Sequence, residues 1–69
     1  MMKNVVAVGL LVRSNRIAQG MTARALSDAT DLTEKTVYNI EHGKFEGMKA
    51  KSLIDICCVL KIDLKELVE

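Results

Sequence analysis

The chain contains no proline and no tryptophan, and one tyrosine and one phenylalanine are its only large aromatic residues. Aliphatic side chains, alanine and methionine therefore supply most of the apolar content, which is typical of a compact all-helical bundle. A length of 69 residues leaves room for one domain, spanning residues 1–69, whose core is small and only marginally stable.

Long apolar runs are also absent. The run Val5–Val12 is far shorter than the roughly 20 residues that a membrane-spanning helix needs. Arg13 and Arg16 follow it, where a secretion signal would have a cleavage site with small residues. We therefore expect a soluble, cytoplasmic protein that does not associate with membranes.

The two cysteines, Cys57 and Cys58, are adjacent, so they form neither a C-x-x-C metal pair nor a disulfide framework. Helical spacing aligns Cys57 with Leu53 and Leu60, which predicts a small core residue, and it leaves Cys58 at or near the surface. A redox switch is the alternative, although no cationic group stands where it would activate either thiol.

Residue sets typical of enzymes are missing as well. No Ser/His/Asp or Cys/His set stands at a recognisable spacing, and neither a glycine-rich phosphate loop nor a pair of catalytic carboxylates is present. His42 has no second ligand at metal spacing, and we expect it at an exposed helix end. The sequence therefore predicts no catalytic residue, metal site or cofactor, in a chain too small to enclose a typical substrate pocket.

The formal net charge is only +1, which is low for a nucleic-acid binder. The charges are unevenly distributed, with arginines early in the chain, lysines in its middle and carboxylates near its end: Arg13, Arg16 and Arg24; Lys35, Lys44, Lys49 and Lys51; Asp55, Asp63, Glu66 and Glu69. This pattern predicts either one basic and one acidic face or an ordinary mixed surface.

Apolar spacing and stop signals predict five helices, over Val5–Gln19, Ala23–Ala29, Glu34–His42, about Ala50–Leu60 and Leu64–Val68. Gly20 and Gly43 are C-terminal stops, and residues 44–49 form a loop. The first helix has an apolar stripe of Val5, Val8, Val12 and Leu11. Its β-branched residues and Gly9 leave a short strand over residues 4–8 as an alternative.

The last two helices carry clearer signals. In the fourth, five small or apolar residues share one predicted face: Ala50, Leu53, Ile54, Cys57 and Leu60. In the fifth, Asp63 and Glu66 form a predicted capping box, and Ile62 can pack on Leu67 as a hydrophobic staple.

Residues 22–43 form the most informative stretch, because they read as two short helices joined by a tight turn. Thr22 and Thr33 can cap the two helices through their hydroxyl groups. Asp31 stands at the sharp turn, where Asp tolerates a left-handed backbone, and Leu32 points back between the helices. This is a helix-turn-helix arrangement, which offers its second helix to the major groove of DNA.

Over residues 10–68 the chain resembles the lambda-repressor/Cro, or Xre-type, family of helix-turn-helix DNA-binding domains. The resemblance rests on residues in ungapped order through the motif and on the tail: Arg16, Gly20, Met21, Thr22, Leu26, Leu32, Thr33, Thr36, Val37, Ile40, Glu41, Gly43, Lys44, Leu53, Leu60, Ile62, Asp63, Leu64 and Leu67. It implies a five-helix bundle, specific binding of double-stranded DNA, dimerisation and transcriptional regulation.

Three positions depart from the family pattern. Ala23 stands where members often carry a glutamine that contacts phosphate, and Asp31 stands at the common turn glycine. Glu34 opens the reading helix where Gln, Arg or Ser is frequent. A carboxylate near phosphates is unfavourable unless it accepts from a cytosine amino group.

The resemblance also implies roles for particular residues. It implies a structural ion pair between Arg16 and Glu41, since a guanidinium can donate two parallel hydrogen bonds to a carboxylate. Thr36, Val37 and Ile40 are predicted to face inward. The helix then exposes Glu34, Lys35, Tyr38 and Asn39, which either contact DNA or form an ordinary solvated face. The predicted DNA-binding residues are Thr33, Glu34, Lys35, Tyr38, Asn39 and Lys44, and candidates for backbone contacts are Thr22, Ala23, Arg24 and Lys49.

We therefore expect a sequence-specific transcriptional regulator, a repressor of phage, plasmid or bacterial origin, which binds a pseudo-palindromic operator as a homodimer. The dimer interface is expected at the C-terminal segment with Leu64 and Val68, or at residues 2–8. The alternative is a protein-interaction module on the same fold, antitoxin-like or antirepressor-like. The modest charge, Ala23 and Glu34 favour that alternative.

Overall fold

The computed structural model describes residues 3–68. Four α-helices, α1 (Val5–Ala18), α2 (Ala23–Thr30), α3 (Glu34–Glu41) and α4 (Ala50–Leu60), precede a 3-10 turn, η1 (Leu64–Leu67). The predicted all-helical class is confirmed. The predicted fifth α-helix is wrong in type, because the chain makes a single 3-10 turn before Val68 becomes extended.

The N-terminal segment is helical from Val5 onward, so the strand alternative over residues 4–8 is wrong. The Asn4 side chain caps α1 by accepting a hydrogen bond from the Ala7 N–H at 2.9 Å. Val8 and Val12 of the predicted stripe are fully buried, whereas Val5, which was also predicted in that stripe, is 43% exposed. The cap and this burial outweigh the β-propensity of the valines, which is a weak preference.

Gly9 lies where α1 crosses α3. A Cβ atom on this residue would stand 2.6 Å from the carbonyl oxygen of Ile40 and 2.7 Å from that of Glu41. The two helices can approach this closely because residue 9 has no side chain. Gly9 therefore has a packing role, although its helix propensity alone argues against a helix here.

The core is one cluster of buried side chains drawn from every element: Val8, Val12, Leu26, Val37, Ile40, Leu53, Ile56, Cys57, Leu60, Ile62 and Leu67. The predicted face of α4 was partly wrong, because Ile54 and Ala50 are exposed and Ile56 is buried instead. Cys57 is buried and Cys58 exposed, as predicted. Burial raises the pKa of the Cys57 thiol and keeps it protonated.

The C-terminal turn closes the bundle. Its predicted capping box is confirmed, because Asp63 accepts from the Lys65 N–H at 2.9 Å and Glu66 accepts from the Asp63 N–H at 3.2 Å. The Lys3 N–H donates to the Leu67 carbonyl at 2.7 Å and joins the two ends of the described chain. Among residues 3–68, no helix has the length and apolar content to cross a membrane.

Candidate functional site

The turn between α2 and α3 is built as the sequence predicts. The Thr22 hydroxyl accepts from the Ala25 N–H at 3.0 Å, and the Thr33 hydroxyl accepts from the Thr36 N–H at 3.1 Å. Asp31 has a left-handed backbone, with φ of 58°. Asp31 ends α2 and Thr33 begins α3 within three residues, so α3 leaves α2 at a fixed angle.

The inner side of α3 is fully used by the fold. Val37 and Ile40 are completely buried, as is Leu26 of α2, and Leu32 packs partly against the same cluster. Thr30 is also buried, and its hydroxyl donates to the Leu26 carbonyl at 2.8 Å. The orientation of α3 about its own axis is therefore set by apolar burial.

A two-pronged ion pair holds the end of α3 to α1. Arg16 donates to both carboxylate oxygens of Glu41, from Nε at 2.7 Å and from Nη2 at 3.0 Å. Its Nη1 also donates to the Met21 carbonyl at 2.8 Å. The hydrogen bond to Glu41 raises the pKa of the Arg16 guanidinium, so the guanidinium stays charged. The side chains are only 13% and 5% exposed, so this pair positions α3 and is not available to a ligand.

The outer side of α3 carries side chains that the core does not use. Glu34, Lys35 and Tyr38 are exposed, and Asn39 is half-buried. Thr33 is exposed too, but its hydroxyl is occupied by the cap and lies 3.0 Å from the Thr36 hydroxyl. The outer side of α3 therefore offers one carboxylate, one ammonium, one phenol and one amide to a partner.

A cleft of roughly 240 Å³ lies between α3 and the loop that leads to α4. It is lined by residues of the turn before α3, of α3, of the loop and of the start of α4: Leu32, Thr36, Asn39, Ile40, Lys44, Glu46, Gly47, Met48, Lys49 and Ser52. The cleft brings together three predicted site residues, Asn39, Lys44 and Lys49. Glu46, which was not among the predicted site residues, also lines it.

The remaining predicted residues lie elsewhere. Thr22, Ala23 and Arg24 are at the start of α2 and do not line the cleft. Thr22 and Arg24 are exposed, whereas the methyl group of Ala23 packs against the core. Ala23 can therefore offer a ligand little beyond its backbone N–H.

An aromatic pair at the end of α3 was not predicted from the sequence. The rings of Tyr38 and His42 stack with centroids 3.9 Å apart and an interplanar angle of 22°. The Nζ atom of Lys44 lies 5.9 Å from the centre of the Tyr38 ring. A signal was available, because residues four apart on a helix are neighbours on its surface.

Comparison with known proteins gives one family match. Residues 13–69 match the Cro/C1-type helix-turn-helix DNA-binding domain. A search of curated protein sequences finds no match.

The solved structures that share the fold include a controller protein and a protein from Staphylococcus aureus. The restriction-modification controller protein C.AhdI from Aeromonas hydrophila is 24% identical, with a TM-score of 0.79, over 91% of this chain and 94% of that one. The protein YmfM from Staphylococcus aureus is 23% identical, with a TM-score of 0.76, over 94% of this chain and 82% of that one.

Proposed function

Since this chain belongs to the Cro/C1-type helix-turn-helix DNA-binding domain family, we propose that it binds double-stranded DNA sequence-specifically and acts as a transcriptional repressor. The observation that supports this most is the division of α3 into two sides. Its inner side is buried, with Val37 and Ile40 fully covered. Its outer side carries Lys35, Tyr38 and Asn39, which the fold does not use.

The outer side of α3 suits the major groove, where base edges present distinct donors and acceptors. The Asn39 amide can both donate to and accept from adenine, and Lys35 can donate to guanine. Glu34 can only accept, so a cytosine amino group is the base-edge donor that matches it. These three side chains would supply the sequence preference.

Phosphate contacts would position the domain without specifying sequence. Lys44 and Lys49 line the same cleft beside Asn39, and Arg24 is exposed at the start of α2. The exposed N-terminus of α3, with its free N–H groups, also favours a phosphate. A modest net charge is compatible with binding when some of the cations lie beside the proposed DNA-reading side, as Lys44 and Lys49 do.

We assign the proposed homodimer to the C-terminal segment, where Leu64 and Val68 are 52% and 49% exposed. A strand edge would have favoured the route through residues 2–8, but Val5–Val8 is helical; Met2 lies outside the described residues. A two-fold dimer would read half-sites about 34 Å apart, one turn of DNA. The operator would then be pseudo-palindromic.

Selection of duplexes from a random pool, repeated at two stated salt concentrations, tests the proposal. We expect one enriched motif with inverted half-sites. The test variant is Asn39→Asp, which keeps the size of the side chain. It replaces the amide with a negative charge that DNA repels, so the enrichment should be lost. Binding that is equal for all sequences and vanishes at the higher salt would contradict sequence-specific recognition.

The competing candidate is a protein-interaction module. It is favoured by a row of exposed apolar side chains on α1, Val6, Leu10 and Ile17, and by the carboxylates Glu34 and Glu46 beside the proposed DNA-binding side. Absence of any enriched duplex in the selection would favour this candidate over the repressor.

A further inference from the structure

The stack of Tyr38 and His42 lies at the protein surface and contributes little to the core. Tyr38 is 52% exposed, and His42 is exposed as the C-terminal cap of α3. The ring centroids are nevertheless only 3.9 Å apart. Two aromatic side chains are thus ordered against each other on the outer side of α3, together with Lys35 and Asn39.

The His42 ring is fixed by the backbone. Its Nδ1 atom lies 2.8 Å from the Tyr38 carbonyl oxygen. A carbonyl oxygen can only accept, so Nδ1 carries a proton and donates. The backbone N–H of His42 donates to the same oxygen at 3.1 Å. The imidazole is therefore held in one orientation against the face of the Tyr38 ring.

Lys44 also contacts the Tyr38 ring. Its Nζ atom is 5.9 Å from the centre of the Tyr38 ring, within the range of a cation–π interaction. The Tyr38 ring is thus held by His42 and Lys44 while about half of its surface stays open. A side chain ordered before binding loses less conformational entropy when it meets a partner.

In the major groove, the apolar group on a base edge is the 5-methyl group of thymine, which aromatic carbons contact well. We propose that Tyr38 recognises a pyrimidine 5-methyl group in the operator and that His42 is the positioning residue which holds its ring there. This inference rests on the proposed function and adds a chemical specificity to it.

The test uses the duplex that the wild-type protein selects, with each thymine replaced in turn by uracil, which lacks only the methyl group. We expect one position per half-site where uracil weakens binding about fourfold, the effect of losing one buried methyl group. Tyr38→Phe should keep this preference for thymine over uracil, because the ring carbons remain. Tyr38→Ala should abolish it.

The positioning role of His42 is tested by the same ratio of affinities. His42→Ala should reduce the preference to less than twofold, and His42→Phe should restore it because a ring can again stack on Tyr38. In the Tyr38→Ala background, His42→Ala should have no further effect on the ratio. A merely structural role would instead lower the melting temperature and leave the ratio unchanged.

Three results would overturn the inference while leaving the proposed function intact: a thymine preference that survives Tyr38→Ala, one that survives His42→Ala, or one that Tyr38→Phe removes. The last would assign recognition to the phenol hydroxyl group. If no duplex is enriched at all, the proposed function fails and this inference fails with it.

Discussion

Gly9 of α1 lies so close to Ile40 of α3 that a Cβ atom on residue 9 would be 2.6 Å from the Ile40 carbonyl oxygen. Both partners at this contact are backbone, so neither can move aside by changing a rotamer. The contact sets how closely α3 approaches α1, and it thereby determines how far the outer side of α3 projects.

We therefore predict that Gly9→Ala lowers the free energy of unfolding by about 1–3 kcal/mol, because the helices must separate. On an exposed helix site the same change would stabilise by about 1 kcal/mol through helix propensity. Urea denaturation measures the difference, with Ser14→Ala on the exposed side of α1 as the control, which should match the wild type. An unchanged or more stable Gly9→Ala protein would show that the crossing tolerates a side chain.

Arg16→Ala should destabilise the protein by about 3 kcal/mol, because it leaves the Glu41 carboxylate buried without its partner. A double replacement of Arg16 and Glu41 by apolar residues should cost less than either single replacement. Lys51→Ala is the matched control, since it breaks an ion pair with Asp55 at a similar distance, 2.8 Å, in which Lys51 is 82% exposed. Superimposable thermal melts of Arg16→Ala and the wild type would mean that the ion pair adds nothing.

Lys44→Ala should weaken binding by a similar factor for all duplexes that keep the thymine proposed to contact Tyr38, and it should reduce the salt dependence of the affinity by about one counterion. Lys44 lies in the cleft beside α3, where a phosphate contact is expected. Lys65→Ala, which removes an exposed lysine of η1, should leave both quantities unchanged. Equal effects of the two substitutions would point to a general charge effect and not to a contact at the cleft.

Leu64→Lys should shift the protein toward the monomer in sedimentation equilibrium, whereas the wild type should show mass above the 7.6 kDa of one chain. Leu10→Lys is the control, because Leu10 is similarly exposed, at 55%, but lies on α1. If Leu10→Lys alone dissociates the dimer, the interface is on α1. A wild-type protein that stays monomeric on operator DNA would contradict the proposed homodimer.

The elements that local signals define were predictable from the sequence. The helix starts are marked by the N-cap residues Thr22, Thr33 and Asp63. Asp31 tolerates the turn conformation whichever side chains surround it. These residues act on the backbone within a few positions of themselves. The helix start or turn that each produces can therefore be predicted without knowing what packs against it.

Features that depend on packing between elements were not predictable in the same way. Gly9 has low helix propensity, and only the presence of α3 explains why it is there. In α4, Ile54 and Ile56 are chemically equivalent, and the bundle decides which of them is buried. The sequence around Val5–Val8 is compatible with a strand or a helix. The Asn4 cap and burial in the core select the helix.

The proposed DNA-contacting residues remain predictions, because which side chains meet a ligand depends on that ligand. The sequence period separates the outer side of α3 from the buried Val37 and Ile40. It makes His42 a neighbour of Tyr38 on the helix surface, but the stacking of the two rings is known only from their geometry.

If the outer side of α3 reads base sequence, substitution of Asn39 should change the base preference of the protein. On the selected duplex, Asn39→Lys should change the preferred base pair at one position per half-site from A·T toward G·C, by about 1–3 kcal/mol of discrimination. Ser14→Ala should keep the wild-type preference. A base preference that stays unchanged in Asn39→Lys, Asn39→Gln and Asn39→Ala, with affinity at the wild-type level, would contradict the account.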